Sequence, residues 1–140
     1  MDIHAFLLPA AREAGTELQP SATTWWLDVE TGNTWQQGSD GALARNRAAL
    51  EGMAAYLAST GAEVGVYSTG QQWRQIAGRV PSSSPLTGLD SWLAGAEDRD
   101  EALEDCADDP LLAGGEVLLV QYVAGDLDHD VSCVEDPDRR

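Results

Sequence analysis

The chain contains no lysine. All eight of its basic residues are arginine, set against 24 aspartates and glutamates, and the formal net charge is −16. A balance this acidic argues against nucleic acid, an anionic membrane or any other polyanion as a partner. Cysteine is almost absent as well, present only as Cys106 and Cys133. From count alone two readings stay open. One is a disulfide closing a loop of about 28 residues and contributing roughly 3 kcal/mol; the other is two unrelated thiols. Histidine occurs only at His4 and His129. Neither has a nucleophile motif nearby, so a Ser-His-Asp enzyme lacks support. No His/Cys cluster has zinc-ligand spacing. No apolar run approaches the roughly 20 residues that cross a membrane. The first residues lack a basic n-region and carry Arg12 and Glu13 where a signal peptide wants its cleavage site, so they read as a helix and no signal peptide is expected in this chain. The glycines of GAEVGVYSTG do not cluster between a strand and a helix start, which excludes a dinucleotide fingerprint. No cofactor and no metal are expected.

What is present is a core. Hydrophobic residues make up 43% of 140 positions, enough for one domain, expected over residues 1–133 with a disordered tail at 134–140. Ile3, Phe6, Leu7, Ala10 and Ala14 predict a helix over residues 2–14, closed by Gly15. Leu43, Asn46, Arg47, Leu50, Met53, Ala54 and Leu57 form the clearest helical stripe, over residues 42–60. Further helices are expected at 71–77 and 97–109. Strands are expected at 23–30, 63–69, 91–96 and 117–123, the last so apolar that burial on both faces is predicted. Strands alternating with helices imply βα units and a parallel sheet.

The stretch TTWWLDVETGN carries the chemistry. Side chains alternate along a strand, so Trp26, Asp28 and Glu30 share one face while Trp25, Leu27 and Val29 share the other. Two acids on one face at the end of an apolar strand are costly to place without a role. The segment GDLDHD near the C-terminus sets Asp126, Asp128 and Asp130 at alternate positions, like the start of a calcium loop. Its sixth position is Val131 where glycine is needed, and its twelfth is Pro137 where glutamate is needed, which argues against calcium.

Taken in order, WWLDVETGN, NRAALEGMAAYLASTGAEVGVYST, SWLAGA and LLVQYVAGDLDHDVSC resemble the family 25 glycoside hydrolases, lysozyme-like muramidases. The resemblance is closer still to secreted bacterial glycoside-hydrolase-like proteins with the same core. It spans residues 23–133. It implies an α/β fold, a parallel (β/α) TIM-type barrel with its active site at the C-terminal strand ends. Eight such units take about 250 residues. The four found here imply a partial barrel of about four βα units, the second half of the family domain. The family's first-strand aspartate has no counterpart.

Position by position, the resemblance puts Asp28 and Glu30 on the catalytic Asp-x-Glu, with Glu30 as general acid and Asp28 assisting. Asp128 is the third acid, with Asp130 beside it. Tyr67, Trp92, Gln121 and Tyr122 match strand-end positions that line the cleft, and Trp26 and Asn33 join them as sugar contacts. For Trp92 alone, packing in the core is the stronger reading of the residue itself. Trp35, in a polar loop, reads equally as a sugar platform or as a ring folded back on the core. The resemblance also implies that Cys106 and Cys133 pair. The implied function is hydrolysis of β-1,4 bonds in cell-wall peptidoglycan, with a glycan as partner and an extracellular or cell-wall location. The alternative is a glycan-binding or interaction module without catalysis, or a fragment without activity of its own. Residues i and i+2 on a strand lie about 6.5 Å apart at Cα. That leaves retaining, inverting and substrate-assisted routes all open.

Overall fold

The computed structural model describes residues 24–134. The helix expected at residues 2–14 and, apart from residue 134, the tail expected at 134–140 lie outside the described residues. Five strands and three helices follow in order: β1 (Thr24–Asp28), α1 (Asp40–Ser59), β2 (Glu63–Ser68), α2 (Gly70–Ile76), β3 (Asp90–Ala96), α3 (Arg99–Asp105), β4 (Val117–Ala124) and β5 (Leu127–Ser132). The sheet order is β1-β2-β3-β4-β5. The first four strands are parallel neighbours.

The fifth strand corrects the expected fold. β5 pairs with β4 antiparallel, so the sheet is mixed and the molecule is not a TIM-type (β/α) barrel segment of four parallel units. The reason is local. Only Gly125 and Asp126 separate the two strands, and a two-residue connection joins antiparallel strands but cannot cross over to a parallel one. Gly125 supplies the left-handed backbone that the reversal needs, with φ +64°. Charge hid this strand from the sequence reading, because Asp128, His129 and Asp130 interrupt any apolar pattern.

The core lies on one face of the sheet. Ser39 caps α1 by accepting a hydrogen bond from the Ala42 amide. Ala42, Asn46, Leu50, Ala54 and Leu57 then form the buried stripe. They pack with Trp25, Leu27 and Val29 of the β1 segment, Val66 of β2, and Trp73 and Ile76 of α2. A second cluster joins Leu93, Val117 and Val120 to Ala102 of α3 and Val131 of β5. The Cys106–Cys133 disulfide closes over this cluster and ties the end of α3 to the end of β5. β4 is not buried on both faces as predicted. Val117 and Val120 are buried, but Val123 is half exposed, since among the described residues the helices cover one face only.

Candidate functional site

The uncovered face carries the acids and aromatics. Parallel register aligns Trp26 with Gly65, then Asp28 with Tyr67 and Tyr67 with Trp92. Trp92 in turn aligns with Leu119. Across the antiparallel pair, Gln121 lies opposite Asp130, and Val123 opposite Asp128. Neighbouring strands are about 4.8 Å apart, so these side chains form one continuous patch.

Close packing fixes the aromatics. A Cβ on Gly65 would lie 2.3 Å from Cζ3 of Trp26, so the indole lies across the backbone of β2 where only glycine leaves space. Trp92 then meets Trp26 edge-on at a centroid distance of 5.7 Å, and Tyr67 at 4.9 Å. Trp92 Nε1 donates to Asp130 Oδ1 at 2.8 Å. The Tyr67 hydroxyl donates to Gln121 Oε1 at 2.5 Å. Trp92 therefore stands on the acid face, with both its edge and its N–H in use there.

Glu30 follows the end of β1 in a turn held from both sides. The Ser68 hydroxyl donates to the Val29 carbonyl at 2.6 Å, and the Val29 amide donates to the Tyr67 carbonyl. The Thr31 amide donates to Gln72 Oε1 at 2.7 Å. Asn33 closes the turn, its backbone amide donating to the Glu30 carbonyl and its side chain to the Asp28 carbonyl. Asn46 stands behind the following loop, bonded to both backbone groups of Gln36 and to the Ile76 carbonyl.

The electrostatics follow from this crowding. Glu30 is raised from its ordinary 4.5 to about 7. The largest cause is hydrogen bonding to Asp28; partial burial and the negative charges of Asp28 and Asp128 add to it. No donor among the described residues reaches the buried Asp28 Oδ1. A protonated Glu30 carboxyl is a donor, whereas an ionised one is not. Burial pushes the Tyr67 hydroxyl up to about 12, helped by Glu30, Asp28, Asp128 and Asp130. It therefore stays a neutral donor to Gln121. Chemically, the patch offers a carboxylic acid that is half protonated near neutral pH, beside an ionisable partner and aromatic surface.

Not every expected residue joins the patch. Trp35 packs back on the first core cluster. Tyr122 points to the covered face, against the second cluster, and stacks on His129. Asn33 contributes through the turn that carries Glu30. Ser68 and Gln72 hold the turn but were not singled out by the sequence reading, which placed Asn46 in the helical stripe without its role in holding the following loop. Ser68 directly follows Tyr67, a hint of a strand end, whereas the partners of Gln72 and Asn46 are up to 41 residues away. Among the described residues, no group of three or more His, Cys, Asp or Glu side chains is arranged to hold a metal ion. No helix among them is long and apolar enough to cross a membrane.

No curated protein and no solved structure matches the chain. The sequence profile of the lysozyme-like protein 1 family matches residues 12–99, more than half of the chain. The matched span includes Asp28, Glu30, Tyr67 and Trp92 and ends before β4. The chain belongs to the lysozyme-like protein 1 family.

Proposed function

We propose that the protein is a glycosidase of the lysozyme type, cleaving β-1,4 bonds of cell-wall peptidoglycan outside the cell. The single observation that carries this reading is Glu30, held against Asp28 and raised to about 7. A general acid works best with a pKa near the operating pH. Glu30 donates its proton to the leaving glycosidic oxygen. The aromatic edges of Trp26, Tyr67 and Trp92 give a sugar ring an apolar surface beside the acid, and Gln121, anchored by Tyr67, keeps its amide N–H₂ for a ring hydroxyl.

Hydrogen-bond contact between Glu30 and Asp28 favours one route among three. A retaining pair needs its carboxyls about 5–5.5 Å apart, and an inverting pair about 6.5–9.5 Å. Hydrogen bonding between Glu30 and Asp28 instead uses the second acid to hold the first. The contact suits a mechanism in which the substrate's own N-acetyl oxygen attacks the anomeric carbon while Asp28 orients the amide. Asp128 adds negative charge that favours the oxocarbenium-like transition state. The likeness to family 25 glycoside hydrolases supports the same assignment of Asp28 and Glu30.

Digestion of purified peptidoglycan tests this reading. Mass spectrometry of the products should find new reducing ends on N-acetylmuramic acid. Binding of glycan fragments with no new reducing ends between pH 5 and 8 would support a non-catalytic glycan-binding module instead.

A further inference from the structure

A groove of about 670 Å³ opens on the helix side of the sheet, away from the acid face. Its floor is apolar: Trp73 and Leu112 belong to the first core cluster and Val80 packs against it. Arg74, Arg79 and Asp109 stand around it. Neither guanidinium group has a hydrogen bond or ion pair with any described residue. By contrast, Arg45 donates to Gln36 Oε1 and Arg47 to the Ala77 carbonyl. In a chain of net charge −16, two guanidinium groups beside one groove with no carboxylate partner among the described residues mark a local reversal of sign.

We propose that this groove binds the free carboxylate end of a short, small-side-chain peptide. Arg74 and Arg79 hold the carboxylate, and the Trp73–Val80–Leu112 floor takes the side chains. The planar guanidinium fork matches a carboxylate in two parallel hydrogen bonds. Asp109 on the same groove selects the ligand further. It repels a dianion such as phosphate and attracts the ammonium of a peptide with a free N-terminus. The apolar floor has no use for a bare ion. This assignment does not rest on glycosidase activity, because no residue of the acid face lines the groove.

Titration of the full-length protein with trialanine, trialanine amide and inorganic phosphate tests the proposal, followed by amide chemical shifts. Trialanine should move signals from Gly78, Arg79 and Thr87 and leave those of Asp28 and Glu30 in place. Amidation of its C-terminus should weaken binding about tenfold or more, the scale of a lost charge-assisted pair. Arg74→Gln with Arg79→Gln should weaken trialanine by a similar factor at an unchanged melting temperature, since both side chains are exposed. Equal affinity for acid and amide would overturn the proposal. So would unchanged binding by the double variant, tighter binding of phosphate than of trialanine, or no binding of trialanine at tens of millimolar.

Discussion

Glu30 stands two positions beyond Asp28 along the chain, and hydrogen bonding to Asp28 is the largest cause of the raised Glu30 pKa. The proton on Glu30 is thus held by its neighbour more than by burial. Replacing Asp28 by Asn removes the charge and the acceptor together. The Glu30 carboxyl, followed by carbon-13 NMR, should then titrate nearer 4.5 than 7. A midpoint still near 7 in Asp28→Asn would assign the shift to burial instead.

The same pair makes stability depend on pH. Glu30 binds its proton more tightly folded (about 7) than unfolded (ordinary value 4.5). Between those values the folded state carries more protons, so the Glu30 contribution is full below about pH 4.5 and is lost as pH rises through 7. Glu30→Gln removes this dependence. Its melting temperature relative to the parent protein should rise by a few degrees between pH 4.5 and 8. A constant difference across that range contradicts the shift.

Gly65 lies under the Trp26 ring, and a Cβ there would meet the indole at 2.3 Å. Gly65→Val should displace Trp26 and, through it, the edge contact with Trp92. The expected readouts are a changed near-ultraviolet tryptophan signal, a loss of about 1–3 kcal/mol from overpacking, and weaker glycan binding. Unchanged glycan affinity would separate the aromatic cluster from binding.

Asn46 is buried and bonded to three backbone groups, two of Gln36 and one of Ile76. Asn46→Ala leaves those groups unpaired and should cost about 2–4 kcal/mol by urea unfolding. Because the Gln36 segment follows the turn bearing Glu30, the variant should also show faster hydrogen exchange at Thr31 and Gln36. A loss below 0.5 kcal/mol, roughly the scale of an ordinary surface change, counts against this role.

The disulfide holds β5, whose side chains are exposed except at Val131. Reduction, or Cys133→Ser, should cost roughly 3 kcal/mol. β5 carries Asp128 and Asp130, and Asp128 helps raise Glu30, so reduction should also move the Glu30 midpoint downward. Amide exchange in β5 should accelerate before that in β1 and β2.

Legibility in the sequence tracked how local each signal is. Trp25, Leu27 and Val29 alternate with Trp26, Asp28 and Glu30, and that alternation predicted which residues the helices cover. The α1 stripe was legible for the same reason, down to the buried Asn46. β5 was not, because Asp128 and Asp130 face the open side and His129 stacks on Tyr122, which leaves Val131 as its one buried residue. The expected TIM-type barrel failed at this strand. A two-residue turn set the direction of the chain where the family likeness implied parallel βα units alone. Tyr122 was placed in the cleft by likeness, yet its neighbour Gln121 faces the acids, and alternation sends Tyr122 to the other side. Ser68 and Gln72 hold Val29 and Thr31 across sequence gaps that periodicity does not sense.

The central claim is that Glu30 is the acid that breaks the glycosidic bond. The most direct test is the rate of reducing-end release from purified peptidoglycan by the parent protein and by Glu30→Gln, side by side at pH 6. The expected loss is about 10²–10⁴-fold, the usual contribution of a general acid, with glycan affinity retained. Equal rates for the two proteins, or no release by the parent protein, would contradict the claim.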